Sequence, residues 1–307
     1  LLKDKRKAII FTIIAMFLWG SATPTIKITY EELAVPVNDT GLKIFVAGIR
    51  FLMAGIITLL FAKIFNKEDI ENAKLDWKFI LLLGILQTCI HYIFFYIGLS
   101  NTLGVKSAII EASNSFIVVL ISLILIPGDK VSKRLILSLV LGTVGIIITN
   151  IGGGLSDTNF KLTGEGFIIM ATTVNALCSV LVRKYGQNQN SYLLTGFQFI
   201  IGSIVLILIG ITTKHGSLTF TNKGLILLVY SSILSAAAFT IWTMVLRYHS
   251  ASEFGIYRLF IPIFASILSV IFLKEQFTVY RIIGMILVLS SSIVLNINKI
   301  FRKNIII

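Results

Sequence analysis

Apolar residues do not alternate with polar ones along this chain. They gather into ten long runs parted by short polar stretches. The runs lie near Ala8–Lys27, Lys43–Phe65, Phe79–Leu99, Leu103–Asp129, Leu135–Ile151, Gly164–Arg183, Tyr192–Thr213, Gly224–Leu246, Ser250–Gln276 and Val279–Asn298. Most hold about 20 residues, the length a helix rising 1.5 Å per residue needs to cross a hydrocarbon core of about 30 Å. The pattern therefore predicts an all-α membrane protein with ten transmembrane helices, spans 1 to 10. Pro24 falls inside span 1 and Pro262 inside span 9, where each is expected to bend its helix. Pro127-Gly128 ends span 4, and Gly152-Gly153-Gly154 ends span 5.

The runs also repeat. Glu111 in span 4 and Arg258 in span 9 are 147 positions apart, as are Leu99 and Leu246, and as are Ser115 and Pro262. Arg50-Phe51 in span 2 matches Gln198-Phe199 in span 7 at an offset of 148. Near-constant spacing points to duplication, with residues 1–154 forming the first five-helix repeat and 155–307 the second. Five is odd, so the second copy must enter the membrane upside-down relative to the first. Inverted repeats of this kind build carriers whose solute site lies near the midplane.

Composition agrees. Of 307 residues, 56% are hydrophobic and 13% charged, with a mean hydropathy of +0.93, more apolar surface than a water-soluble domain can hide. The net charge of +13 is spread over the segments between spans, not along one exposed stripe, which argues against nucleic acid. With the N-terminus in the cytoplasm, seventeen Lys and Arg lie in cytoplasmic segments against eight on the other side, so both termini are expected inside. Cys89 and Cys178 lie within spans and read as packing residues. The first run is long for a secretion signal and reads as a retained helix. The sequence starts at Leu1, which leaves room for residues ahead of it.

Glu111 and Arg258 are the candidate chemistry. A charge deep in a span is costly, and such residues are functional by default. One reading is a clamp, in which Glu111 takes a substrate ammonium and Arg258 holds a carboxylate through its two-pronged donor fork. The other is a buried Glu111–Arg258 ion pair that fixes helix register. Asn114, three residues beyond Glu111, and Tyr257, beside Arg258, are candidate supporting contacts. Trp19, Tyr96 and Trp242 offer ring faces to a cation or an apolar group, or simply pack helices. His91 is included as a cavity residue, although one histidine in a span more often packs and hydrogen-bonds. Arg50 reads as structural, bonded to backbone carbonyls or a loop. Ser138 and Gly142, Ser231 and Ser235, and Ser232 and Ala236 are small residues four apart that favour close helix contact.

Trp19-Gly20-Ser21 with Pro24, Arg50-Phe51, Tyr96-Ile97-Gly98-Leu99, and Pro262 followed by Leu273-Lys274-Glu275 together resemble the EamA family of the drug/metabolite transporter superfamily. The resemblance covers nearly the whole chain. It implies a ten-helix carrier of the bacterial inner membrane, often an exporter of amino acids or other small metabolites. It also implies a cavity lined by the first four helices of each repeat, with the fifth peripheral. The first repeat departs from the pattern, with Ser115 where proline is common and Pro127-Gly128-Asp129 where Leu-x-Glu is expected.

The expectation is therefore a secondary transporter, an exporter or facilitator of amino acids or related zwitterions working by alternating access. No Walker-type Gly-rich Lys motif appears, and no HExxH, GxSxG or paired acids mark an enzyme. Neither a metal nor a cofactor is implied. A flippase for lipid or its headgroup, or a membrane partner protein that transports nothing, are the competing readings. Proton coupling through Glu111 and a homodimer are both compatible with the sequence.

Overall fold

A computed structural model describes residues 4–65, 70, 73, 75–125, 133–151, 160–186, 189–248, 257–258 and 260–301. Everything described is helix or connection. Helix α1 covers Lys5–Glu32, α2 Thr40–Phe65 and α3 Trp77–Asn101. Span 4 is split into α4, Gly104–Glu111, and α5, Asn114–Leu125. Then come α6 (Lys133–Ile151), α7 (Phe167–Tyr185), α8 (Ser191–Thr213), α9 (Asn222–Tyr248), α10 (Phe260–Leu273) and α11 (Val279–Phe301). Among the described residues, six helices are long and apolar enough to cross a bilayer, and shorter apolar helices accompany them. This is a multi-spanning, all-α membrane protein. Pro127, Gly128 and the glycines at 152–154 lie outside the described residues.

Two local departures from ideal helix matter later. In α3, residues Gly84–Ile90 form a π-turn, ended where the His91 N–H reaches back to the Leu86 carbonyl. Such turns insert an extra residue and often mark functional positions. In span 4 the helix breaks at Ala112–Ser113, where the Ser113 N–H bonds the Ile110 carbonyl at 3.0 Å. Neither proline nor glycine stands at that break. Pro24 lies inside α1, and Pro262 lies within the described part of α10.

Helix α2 packs along α8, α6 along α11, α4 against α10, α1 between α9 and α10, and α3 and α5 against α7. The α2–α8 pair runs antiparallel at backbone contact. A Cβ on Gly41 would fall 2.5 Å from the Thr213 carbonyl, one on Gly48 would strike Ile207, and one on Gly55 would lie 3.0 Å from the Gly196 carbonyl. These three glycines are seven apart, so they share one stripe of α2. Apolar association is weak inside lipid, and close backbone approach over small residues replaces it.

Polar groups collect at the end carrying the α1–α2, α3–α4, α8–α9 and α10–α11 connections. Lys274 takes a left-handed φ of 53° and turns Glu275 toward the start of α4. The Glu275 carboxylate there accepts the Gly104 and Val105 N–H groups at 2.7 and 2.9 Å and pairs with Lys27 at 3.1 Å. This explains the closing Leu273-Lys274-Glu275 physically: it supplies an anion to unsatisfied donors at a helix N-terminus. Buried Lys106 pairs with buried Glu165 at 3.5 Å, and Glu165 also accepts from Thr102 at 2.7 Å. Lys43, 2% exposed, donates to the Val37 carbonyl and to Ser100. Replacing Glu275 by Ala is expected to destabilise the protein by about 2–4 kcal/mol, because it strands Lys27 and two backbone donors. Thermal unfolding in detergent measures this, and an unchanged midpoint would refute the account.

Asp39 closes the α1–α2 connection. Burial acts to raise its carboxyl pKa, but the N–H groups of Leu42, Gly216 and His215 together hold it below the ordinary aspartate value. A lowered folded pKa means that this stabilisation is complete above the unfolded value of about 3.9 and disappears as pH falls through the folded value. Asp39→Asn should therefore cost about 1–3 kcal/mol at neutral pH. The gap to the parent should shrink in acid, measured by unfolding midpoints at neutral pH and near pH 3.

Candidate functional site

Arg50 lies on α2 ten residues from its start, about 15 Å along the helix axis. It is 4% exposed. Its Nε donates to the Ser231 carbonyl at 3.3 Å, Nη1 to the Tyr96 hydroxyl at 2.5 Å and Nη2 to Ser235 Oγ at 2.8 Å. The guanidinium also stands 5.1 Å from the centre of the Phe51 ring and 6.0 Å from that of Tyr96. No carboxylate among the described residues pairs with it. A guanidinium has five N–H donors, so two are left without an acceptor among the described residues.

Arg50 borders a small cavity between α1, α2, α3 and α9. Thr29, Tyr30, Tyr96 and Ser231 complete its polar side, and Ile26, Val46 and Leu228 its apolar side. The free space is roughly that of one water. The Tyr30 hydroxyl, buried on this wall, has no hydrogen-bond partner among the described residues. Sequence reasoning missed Arg50, Tyr30 and the serines as a group. Ser231 and Ser235 had read as helix-packing residues, and the spacing signal pointed to Arg258.

The residues singled out from sequence fall into two neighbourhoods. Tyr96 joins Arg50 directly. Tyr92, one turn earlier, packs on Phe51 at a tilt with ring centres 3.9 Å apart. Glu111 is the last residue of α4, at the break in span 4, and no hydrogen bond or ion pair engages its carboxylate among the described residues. Asn114 opens α5 and ties it to α7, donating to the Thr172 carbonyl at 3.2 Å and to Asn175 at 3.1 Å. His91 bonds the Ala171 carbonyl at 2.9 Å through Nδ1 and packs on Tyr92.

The second neighbourhood holds Trp19, Trp242 and Tyr257. Trp19 meets Trp242 edge-on at 6.2 Å, and Tyr257 packs into the same cluster. Arg258 is partly buried beside Tyr257. A row of rings joins the two places: Trp19 to Phe239 at 5.2 Å, Phe239 to Phe199 at 5.1 Å, Phe199 to Phe51 at 5.2 Å, then Tyr92. Glu111 and Arg258 make no ion pair with each other, so the register-fixing pair weighed from sequence is not formed.

A bundle of apolar helices with a buried cation, and an acid that has no partner among the described residues, defines a membrane protein built around a polar interior. Among the described residues no cluster of His, Cys, Asp or Glu could hold a metal. The chain belongs to the EamA-like transporter family, whose model matches residues 6–151 and 162–297, in the drug/metabolite transporter superfamily. It is thus a membrane transporter and not an enzyme. It is 27% identical to a WAT1-related chloroplastic protein of Arabidopsis thaliana over 87% of this chain, and spans 64% of that protein's length. It is 23% identical to the uncharacterized transporter YetK of Bacillus subtilis, over 97% of this chain and 89% of YetK. The S-adenosylmethionine/S-adenosylhomocysteine transporter of Chlamydia muridarum is 23% identical over 88% of this chain and 85% of its own. One crystal structure shares the fold at a TM-score of 0.68 and 14% identity, covering 98% of this chain and 100% of that one.

Proposed function

We propose that the protein is a secondary carrier, an exporter or facilitator of small zwitterionic metabolites and foremost of amino acids. It works by alternating access between inverted halves, residues 1–154 and 155–307, in a bacterial inner membrane with both termini cytoplasmic. The observation that carries this reading is a buried guanidinium, Arg50, bonded to Tyr96, in the same bundle as Glu111, whose carboxylate has no partner among the described residues. Opposite charges held apart in a low-dielectric interior suit a solute that carries both. Glu111 also ends a half-helix, where carbonyl dipoles favour a cation.

The packing supports inverted halves. Exchanging each span for its counterpart five spans on turns the α2–α8, α6–α11 and α4–α10 contacts into themselves and turns α1–α9 into α3–α7. Phe51 touches Phe199, its counterpart in the sequence repeat, as residues on a two-fold axis would. The Phe51–Tyr92 contact is answered by Phe199–Phe239 at nearly the same offset. The Chlamydia relative is named for a solute bearing an amino-acid group, which agrees with the zwitterion class. Counterflow of radiolabelled amino acids into proteoliposomes tests the proposal. Exchange of at least one of them above empty vesicles is expected, and none across the common set would defeat it.

A further inference from the structure

Resting on the carrier reading, we propose that Arg50 and the Tyr30 hydroxyl form the seat for the solute's carboxylate, the role that sequence spacing had given to Arg258. Two observations converge on this seat. Arg50 is buried near the middle of α2 with two N–H donors left over, and Tyr30, 6% exposed, has a hydroxyl without a partner, both among the described residues. Both border the same cavity, and the Tyr30 and Tyr96 rings meet at 5.9 Å.

A guanidinium that merely stapled α2 to α9 would have its donors spent on those helices. Here one wall of the cavity keeps donors in reserve: the remaining N–H pair of the guanidinium and the phenol. A planar carboxylate accepts from a guanidinium through two oxygens and has lone pairs left for a phenolic hydroxyl. The charge present selects a monoanion. The nearest lysines by chain position, Lys27 and Lys43, are committed at the loop end, so a phosphate dianion would face one cation only. The space now holds about one water, so the carboxylate enters when α1 and α9 part. In the closed form the Tyr96 hydroxyl and the Ser231 carbonyl keep the cation solvated.

The ammonium of the same solute then points toward Glu111. A solute carrying both charges engages both groups, whereas a simple anion engages only the first.

The test uses the full chain in nanodiscs. Unfolding midpoints and counterflow are measured with each common amino acid, its α-carboxamide, acetate, benzoate and inorganic phosphate. The parent is expected to be stabilised by one or more amino acids and not by the matching carboxamides. Arg50→Lys keeps the charge but loses the fork, and should weaken binding about tenfold or more; Tyr30→Phe should weaken it a few-fold. Arg50→Gln should bind acid and carboxamide alike. If amino acids are transported and Arg50→Gln still prefers the acid, the seat is wrong and the carrier reading stands. If a monocarboxylate stabilises the parent through Arg50 while no amino acid does, the seat stands and the zwitterion reading is wrong. No stabilisation of the parent by any carboxylate, or an equal response to acid and carboxamide, overturns the seat.

Discussion

The Glu111→Gln protein is expected to insert and fold like its parent and to move no solute. Glutamine matches glutamate in size, and no ion pair or hydrogen bond among the described residues is lost with the charge. Removing an ionisable group that has no partner among the described residues relieves the strain of holding it in an apolar interior, so the unfolding midpoint should hold or rise. The attraction for a substrate ammonium is what disappears. Charge-assisted hydrogen bonds are worth about 1.5–3 kcal/mol each, so affinity should fall about 10- to 100-fold, and counterflow at low solute concentration should sink to background. Full activity in this variant would show that Glu111 does not touch the solute. A collapsed midpoint with lost activity would show instead that the acid holds the broken span together.

The second large effect concerns packing. A Cβ on Gly202 would lie 2.4 Å from the Gly84 carbonyl and 2.4 Å from the Thr88 Cβ, so α8 lies directly on the π-turn of α3. Backbone cannot yield there as a flexible side-chain tip can. Gly202→Leu should cost more than about 3 kcal/mol, at or beyond the upper end of overpacking penalties, and should abolish the monodisperse species in size-exclusion chromatography. Gly202→Ala should give an intermediate loss. The displacement would travel through the π-turn toward His91 and Tyr92, so the alanine variant should also transport poorly even where it folds. A leucine variant that stays monodisperse with the parent midpoint would mean that α3 and α8 are not in backbone contact.

Helix positions were readable because lipid imposes one rule: a span must be apolar for about 20 residues. The sequence reading placed the apolar runs where the described helices lie, although α1 runs on from Lys27 to Glu32. The break after Glu111 is announced by neither proline nor glycine, and its one trace is the polar Ser113-Asn114-Ser115, residue types that favour a helix start. The π-turn was silent. Arg50 was legible as a charge but not as part of a site. Its partners Tyr96, Ser231 and Ser235 lie 46, 181 and 185 residues away, and only tertiary packing brings them together. The 147-residue spacing directed attention to Arg258, because a repeat reveals which positions are equivalent and not which ones meet.

The lysines and acids gathered at the connecting loops have a consequence for the energetics of a working cycle. In the proposed cycle, parting Lys27 from Glu275, or Lys106 from Glu165, costs little only where opening carries these buried ions into water, since otherwise each is left uncompensated. Arg50, near the middle of α2, has no such refuge, and an empty carrier that exposed it to lipid would face the full Born penalty. The slow stage of turnover should therefore be the return of the unloaded protein, which would make exchange of one solute for another faster than net flow.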